Sequence, residues 1–557
     1  MQTKRITAVL SVSEQITAAD VAALAEAGFN SIICNRPDGE GADQPVFAEI
    51  ATAAQSHGMT AHYQPIVSGK VGDADAIAFG ELLERLPKPV LAYCRTGTRS
   101  TTLWALAEGA RDRPLPDILA ATKAAGYDMA AVTRRIANRG RTPTDIADTS
   151  HDIVIVGGGA AGIAVASSLL ARQSNLDIAI IEPADIHYYQ PGWTMVGAGI
   201  FDAPTTARTM ASVIPSGVHW IKGAVAAFEP DKNAIILDGC HVVKYRSLIV
   251  ATGLKLNWAG IEGLNETLGR NGVTSNYRYD LAPYTWQLVQ NLKRGRAVFT
   301  QPPMPIKCAG APQKALYLSA DHWLRNGCLN DIEVSFCNAG AVLFGVKDYV
   351  PALMKYVERY HAKLQFQHNL TRIDGPARRA WFTVTDADGT QTNSESEFDM
   401  MHVVPPQTAP DYIRVSPLAD ANGWLDVDQS TLRHKTLHGI YALGDVCNAP
   451  NAKTAAATRK QAPVVAHNLL KDRGMITEGD AIYDGYGSCP LTVERGKIVL
   501  AEFGYGGKLL PSFPAWLVDG TQPSRLAWFL KERLLPPLYW KAMLKGREWL
   551  AKPELMT

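Results

Sequence analysis

HDIVIVGGGAAGIAVASSLLARQSNLDIAIIEP, residues 151–183, decides the fold of most of this chain. A β-branched strand runs into Gly157, Gly159 and Gly162, spaced G-x-G-x-x-G, and an Ala-rich helical pattern follows. A second strand, DIAIIE, ends on Glu182, 20 residues beyond Gly162. The first glycine permits the tight turn, the second lets a pyrophosphate approach the backbone, and the third lets helix and strand pack closely. The helix N-terminus then faces the phosphates, and Glu182 accepts the ribose hydroxyls. A glycine-rich turn without a ligand is the plainer reading. Strand, helix, second strand and acid all in register favour a dinucleotide site.

Farther along, YRSLIVATG (245–253), with Thr252 and Gly253, looks like the A-T-G segment of two-domain flavoprotein reductases. TLHGIYALGD (436–445) looks like their second flavin fingerprint, in which a strand ends in Gly444-Asp445 and the aspartate bonds the flavin's ribityl chain. Two such segments agreeing with the first point to FAD rather than NAD. In such flavoproteins an inserted second unit binds NAD(P)H. Here the corresponding strand, DIEVSFCNAGAVLFG (331–345), carries Asn338-Ala339-Gly340-Ala341 and no second G-x-G-x-x-G. A second pyrophosphate would lose its close backbone contact there, so thiol chemistry leads over a nicotinamide as electron donor.

Cys308 lies in PIKCAGAPQK and Cys447 in GDVCNAPNAKTAAA, two residues past Asp445 and therefore close to the isoalloxazine if Asp445 touches the ribityl chain. Residues 151–557 resemble sulfide:quinone oxidoreductases, in particular the branch that includes the mitochondrial enzyme. The shared words are HYYQPGWTMVGAG (187–199), FTQPPMPIKCAGAPQKALYLS (299–319), AKTAAA (452–457), YDGYGSCPL (483–491) and LAEFGY (500–505). One departure is visible: relatives can carry the second cysteine directly after Gly-Asp, whereas here Val446 holds that place. The resemblance implies FAD, hydrogen sulfide as substrate and ubiquinone or a similar quinone as acceptor. It implies attack of hydrosulfide on a Cys308–Cys447 disulfide or sulfur-bridged form, leaving a persulfide and a thiolate. Lys314 and Lys453, the latter beside Thr454 in the AKTAAA word, add positive charge that favours the thiolate and the reduced flavin. Cys34, Cys240, Cys328, Cys337 and Cys489 read as small buried hydrophobes. No C-x-x-C occurs, and no metal site is expected.

On the amino-terminal side, residues 1–110 alternate strand and helix periods. KRITAVLSV, FNSIICN, TAHYQPI and PVLAYC are strands; VAALAEAG, PVFAEIATAAQSHG and DADAIAFGELLERL are helices, the first entered through a capping box at Thr17–Asp20. The alternation implies a small α/β layer with a mostly parallel sheet. LAYCRTGTRSTTLW places Cys94 after a strand and before a helix, with Arg99 five residues on. Loop amides, the helix N-terminus and Arg99 would form an anion cradle that activates the thiol. Tyrosine phosphatases use His-Cys, five residues, then Arg; here Tyr93 precedes the cysteine and four residues intervene. The shorter loop resembles rhodanese-type sulfurtransferases. The domain with its word NRPDGE (35–40) resembles a small bacterial phosphatase-like or sulfurtransferase-like domain, and Cys94 is expected to accept sulfane sulfur.

The organisation expected is 1–110 as that domain, 111–150 as extension and linker, 151–480 as the FAD-binding oxidoreductase with an inserted second Rossmann-like domain, and 481–557 as a quinone- and membrane-associating region. RRIANRGRTPTDIADTS (134–150) has no apolar period and reads as linker. RLAWFLKERLLPPLYWKAMLKGR (525–547) has six basic residues and one acid around Trp528, Phe529, Leu534, Tyr539 and Trp540. Pro536-Pro537 breaks it into two short helices that would lie in the headgroup layer. The 557 residues suggest several domains. Fifty-five basic against 54 acidic residues removes the case for nucleic-acid binding. The start, MQTKRITAVLSVSEQ, lacks a secretory apolar run, so the expected place is the cytoplasmic face of the cell membrane, peripherally attached. A small thiol, sulfite or cyanide is the expected final sulfur acceptor, and a homo-oligomer is allowed. Competing readings are an NAD(P)H-dependent flavin disulfide reductase and a Cys94 phosphatase fused to a flavoprotein.

Overall fold

The computed structural model describes residues 3–42, 44–111, 113–129, 132, 135–136, 149–238 and 241–556. Most of the 134–150 linker and Cys240 lie outside the described residues. The chain forms two compact units. One comprises residues 1–150, 223–245 and 411–419; the other comprises 151–222, 246–410 and 420–557.

The first unit is built on a five-stranded sheet of β1 (Thr3–Arg5), β2 (Leu10–Ser13), β3 (Ser31–Cys34), β4 (Thr60–Tyr63) and β5 (Val90–Tyr93), in the order β1-β2-β5-β3-β4. All neighbours are parallel except β1 and β2. The stretch expected as one strand, KRITAVLSV, is thus a hairpin, because the Thr7 hydroxyl accepts the amides of Val9 and Leu10 and turns the chain. Only half of the expected capping box forms: Asp20 accepts both the amide and the hydroxyl of Thr17, but the Asp20 amide goes to the Thr17 carbonyl, and helix Asp20–Glu26 starts after Ala19 with no side-chain cap. The unit's core reaches past residue 110. Helix Leu115–Ala124 buries Leu115 and Ile118 with Phe79, Leu103 and Trp104, and Ala226 and Ile236 join the same cluster.

In the second unit, strand Thr149–Val156 enters at His151 and pairs in parallel with Ile178–Ile181, which pairs in parallel with Val218–Ile221. Helix Ala160–Arg172 follows the glycine turn. Strand Ile440–Ala442 pairs in parallel with Leu248–Val250, so the A-T-G segment and the Gly444-Asp445 turn leave the same edge of neighbouring strands. A second parallel sheet runs in the order Val273–Thr274, Met400–His402, Gly295–Gln301, Ile332–Asn338, Lys363–Phe366. The antiparallel hairpin Gly487–Glu494/Lys497–Phe503 lays Cys489, Leu491, Val493 and Val499 against helix Ala311–Arg325 in the core of that half. The fold is the expected α/β one, with dinucleotide-type turns at the carboxyl ends of parallel strands.

The expected gap in the second glycine motif has a structural counterpart. Asn338 closes its own turn: its carboxamide accepts the Gly340 amide at 2.8 Å and donates to the Val342 carbonyl at 2.9 Å. The next helix begins only at Val350, so no helix N-terminus stands at the end of this strand.

A candidate flavin and thiol site

A cavity of about 590 Å³ is lined by Gly157, Gly158 and Gly159 of the first turn, but not Gly162, and by Glu182, Thr252, Gly253, Gly444, Asp445, Lys453, Thr454, Cys308 and Lys314. Residues separated by hundreds of positions thus face one space. Gly157 has φ +103°, and a β-carbon there would stand 2.6 Å from the Ala251 carbonyl. One on Gly162 would collide with the Gly157 carbonyl, whereas Gly159 faces open space, as an approaching pyrophosphate requires. Glu182 accepts the Gly158 amide at 2.8 Å and the Ala184 amide at 2.7 Å, which fixes its carboxylate at the cavity wall. The Thr252 hydroxyl is buried and unpartnered among the described residues. Thr454 caps helix Ala455–Asp472 by accepting the Ala457 amide. Asp445 is half-buried at the cavity wall, and desolvation pushes its carboxyl up against the pull of Lys453 and Lys307. An open cradle, an orphaned hydroxyl and a half-buried acid at the cavity wall fit a dinucleotide with a polyhydroxyl chain, and FAD is such a molecule.

Cys308 has φ +49°, a conformation uncommon for a side chain other than glycine, asparagine or aspartate. That turn is held by its amide, which donates to the Lys453 carbonyl at 2.9 Å, and by the Ala311 amide on the Cys308 carbonyl at 2.7 Å. Its sulfur stands 3.7 Å from Cys489 Sγ and 3.2 Å from Lys314 Nζ. The hydrogen bond from Cys489 and the charges of Lys314 and Lys531 hold the Cys308 thiol well below its ordinary range against burial. The same hydrogen bond, followed by burial, pushes Cys489 up. Gly310 makes the approach possible: a β-carbon there would meet Cys489 Sγ at 2.5 Å.

The partner expected for Cys308 was Cys447, and the geometry places Cys489 there instead. Like Cys489, Cys447 is buried and does not line the cavity, but among the described residues it makes no sulfur contact with Cys308, and burial raises its thiol to about 12. Lys453 does not sit over a thiolate. It donates to the carbonyls of Asp445 and Cys447 at 2.8 and 2.7 Å and so pins the turn that buries Cys447. Cys489 had been read as a small buried hydrophobe, although it lies in a word already tied to the family. The missing signal was strand alternation, which turns Cys489, Leu491 and Val493 inward together. Lys531 was missed as well. It is buried in the turn Leu530–Leu534 and donates to the Pro191 carbonyl at 3.2 Å. Burial, then the charge of Lys314, lowers its amine to about 7.

In the first unit, Cys94 is buried at the end of β5, and the Gly97 amide donates to its sulfur at 3.2 Å. Arg99 is largely engaged elsewhere: Nη1 donates to the carbonyls of Asn35 and Ile66, and Nη2 to Glu40 at 2.8 Å. Of five guanidinium hydrogens, two are left for an anion among the described residues. Glu40, in the NRPDGE word, also accepts from Arg36 and organises this corner. One trio of possible metal ligands occurs among the described residues, His151, Asp177 and His219, of which His151 and Asp177 are hydrogen-bonded at 2.8 Å.

The carboxy-terminal segment does not break at Pro536-Pro537 as expected: Arg525–Phe529 runs through a π-helical turn, Leu530–Leu534, into Leu535–Lys541, whose first turn holds both prolines, and its aromatics divide. Trp528, Tyr539 and Trp540 are buried, Tyr539 against His187 at 2.7 Å and against the ring of Tyr189. The exposed set is Leu526, Phe529 and Leu534 together with Trp516, Trp549 and Leu550, which the sequence reading had not singled out. No described helix is long and apolar enough to cross a membrane.

A dinucleotide cradle, a second parallel sheet and a thiol pair whose one member, Cys308, stands at the cavity wall define a flavoprotein of the disulfide oxidoreductase class. Residues 151–288 match the family model described as pyridine nucleotide-disulphide oxidoreductase, and residues 2–111 match the phosphatase-like domain of beta-lactamase hydrolase-like protein. The chain is 42% identical over 408 residues to the mitochondrial sulfide:quinone oxidoreductase of Dictyostelium discoideum, covering 73% of this chain and 88% of that one. It is 37% identical over 403 residues to the Mus musculus enzyme, covering 72% and 88%. The chain belongs to the sulfide:quinone oxidoreductase family. The crystal structure of the Aquifex aeolicus sulfide:quinone oxidoreductase, 19% identical, shares the fold with a TM-score of 0.59 over 72% of this chain and 92% of that one. The amino-terminal part is 36% identical over 135 residues to the beta-lactamase hydrolase-like protein of Agrobacterium fabrum, covering 24% of this chain and 31% of that one.

Proposed function

We propose that Cys308 and Cys489 are the thiols through which this flavoprotein oxidises hydrogen sulfide and supplies electrons to a quinone. The observation that carries the assignment is the 3.7 Å contact of the two sulfurs with Lys314 at 3.2 Å from one of them. In the oxidised pair the sulfur with the lower thiol pKa leaves faster. Hydrosulfide therefore attacks Cys489 Sγ, the disulfide bond breaks, and Cys308 departs as a thiolate beside the Lys314 ammonium. The product is a persulfide on Cys489. A small thiol, sulfite or cyanide then takes its outer sulfur, leaving a second thiolate. Bound FAD supplies the acceptor for the two electrons that leave the pair as it closes again, and the donor for the quinone. Gly157, Gly159, Gly162, Glu182, Thr252, Gly253, Asp445 and Thr454 would hold it. Lys314 is buried with no carboxylate partner among the described residues, so its charge serves the thiolate: burial works against the ammonium, and the charge and hydrogen bonds of Cys308 and Cys489 together outweigh it and raise its pKa.

The exposed Trp516, Phe529, Trp549 and Leu550 favour peripheral seating on a membrane, where a lipid-tailed quinone is met. Cys94, cradled by a loop amide, is read as an acceptor of sulfane sulfur. A small persulfide made from the Cys489 persulfide would meet Cys94 thiolate; its outer sulfur passes to Cys94 as the carrier's sulfur–sulfur bond breaks, and the carrier leaves as a thiolate, with no net redox change. Anaerobic sulfide should bleach the flavin of the wild-type protein and leave that of Cys308→Ser oxidised; bleaching in Cys308→Ser would contradict the assignment.

A further inference from the structure

Reducing a quinone needs protons as well as electrons, and one corner of the cavity is built to deliver them. Glu502 lies on the hairpin strand opposite Ser488, 5% exposed, and lines the cavity together with Tyr486, Arg459 and the apolar Leu500, Phe513 and Leu535. Its Oε1 accepts from the hydroxyls of Tyr486 and Ser512, each at 2.6 Å, and its Oε2 accepts the Ser512 amide at 3.0 Å. The two hydroxyls are themselves 3.1 Å apart. Tyr486 is buried, whereas Ser512 is exposed. Tyr486 and Ser512 also line a second hollow of about 690 Å³ with Lys460, Asp484, Trp549 and Lys552. A continuous row of exchangeable protons thus runs from a solvent-facing hollow, through a buried carboxylate, to a hydroxyl on the wall of the flavin cavity. Tyr349 clamps the Glu502 backbone at both its amide and its carbonyl, so the carboxylate is held on a rigid strand. Arg459 brings a cation whose Nε is buried and unpartnered among the described residues. Among the described residues no ion pair needs this carboxylate; its three hydrogen-bond partners are donors that can be exchanged.

We propose that Ser512, Glu502 and Tyr486 form the proton-delivery path for quinone reduction, with Tyr486 as the group that hands the proton over. The proposal rests on the sulfide:quinone reading for its acceptor. Reducing the quinone to quinol takes two electrons and two protons; bound reduced flavin would supply the two electrons and one proton, and the Tyr486 hydroxyl the other proton. The tyrosine O–H bond breaks as an O–H bond forms on the quinol. The Tyr486 phenolate is then reprotonated through Glu502: the Ser512 hydroxyl passes a proton to the carboxylate and takes one from solvent, and the carboxyl so formed passes its proton to Tyr486 and returns to carboxylate. The apolar side chains beside Tyr486 suit a quinone ring and the start of its tail, and Arg459 offsets negative charge growing on the second oxygen.

The test uses the full-length holoprotein with its flavin photoreduced, so that it does not depend on which thiols react with sulfide. Reoxidation is followed by stopped flow with a short-chain ubiquinone and with ferricyanide, which takes electrons without protons. In Glu502→Gln and Tyr486→Phe the quinone rate should fall about a hundredfold, the scale of a lost proton donor. The ferricyanide rate should change by less than about threefold, and the wild-type solvent isotope effect on the quinone step should disappear. Wild-type quinone rates in both variants would overturn the path. An equal slowing toward both acceptors would also overturn it, because that is the signature of a disturbed flavin site. Failure of sulfide to bleach the wild-type flavin would instead count against the thiol reading.

Discussion

Cys94 and Cys308 occupy the same kind of place: each lies between a parallel strand and the N-terminus of a helix, Val90–Tyr93 before Thr98–Ala110 and Gly295–Gln301 before Ala311–Arg325. Their surroundings differ. Cys94 has a backbone amide at its sulfur and an arginine mostly committed to carbonyls and Glu40. Cys308 has a second thiol and a lysine within hydrogen-bond range. A strand–loop–helix turn makes a cysteine accessible to chemistry, and the neighbours decide which chemistry. A lone cradled thiol can take and pass on a sulfur atom; two sulfurs in contact can also store two electrons.

That contrast breaks most visibly if the pair is broken. Cys308→Ser and Cys489→Ser should each slow anaerobic flavin reduction by sulfide at least roughly a thousandfold, as removing one member of a reacting unit does. Cys447→Ser should stay within about threefold of wild type in the same stopped-flow trace. If Cys447→Ser were as damaged as Cys489→Ser, the assignment of the partner would be wrong.

Next in size is the lysine that separates the two sites. In Lys314→Met, the pH midpoint for iodoacetamide alkylation of reduced Cys308 should rise by at least about one unit, since an adjacent cation favours the thiolate. A midpoint that stays put would mean that the Cys489 hydrogen bond alone holds the thiolate.

At the amino-terminal site, Cys94→Ser should lower persulfide delivery to glutathione, sulfite or cyanide several-fold. Unchanged delivery would leave the small domain outside the sulfur path.

The smallest effect concerns Lys531. Its amine sits at about 7 in the folded chain because burial disfavours the ammonium. The unfolded chain binds the extra proton between that value and the ordinary lysine range near 10.4, so the cost of burying this group is fully present below pH 7 and fades as pH rises through that window. Lys531→Met should therefore raise the melting temperature by a few degrees at pH 6.5 and by less at pH 10, read by differential scanning calorimetry.

Much of this was legible in the sequence because it is local. The turn at Gly157–Gly162, Glu182 and the Gly444-Asp445 strand end each sit within one strand–turn unit, and backbone geometry dictates the residue types there. The reading failed where function depends on long-range packing. Cys489 lies 181 residues from Cys308, and only the inward face of its hairpin and the missing side chain of Gly310 bring the two together. Cys447 was chosen for nearness in sequence to Asp445, which says nothing about the direction its side chain takes once Lys453 pins the turn. The carboxy-terminal aromatics were counted by composition. Burial then divided them, because Tyr539 and Trp540 pack against the ring of His187 and cannot also face a membrane.

The central claim is the identity of the two sulfurs, and peptide mapping after oxidation tests it most directly. The holoprotein would be oxidised with quinone in the absence of sulfide, free thiols blocked with iodoacetamide, and the digest analysed by mass spectrometry without reduction. The expected product is one cross-linked species joining the peptides of Cys308 and Cys489, directly or through an extra sulfur, with Cys447 recovered unlinked. A link between Cys308 and Cys447, or both Cys308 and Cys489 recovered as alkylated thiols, would contradict the account.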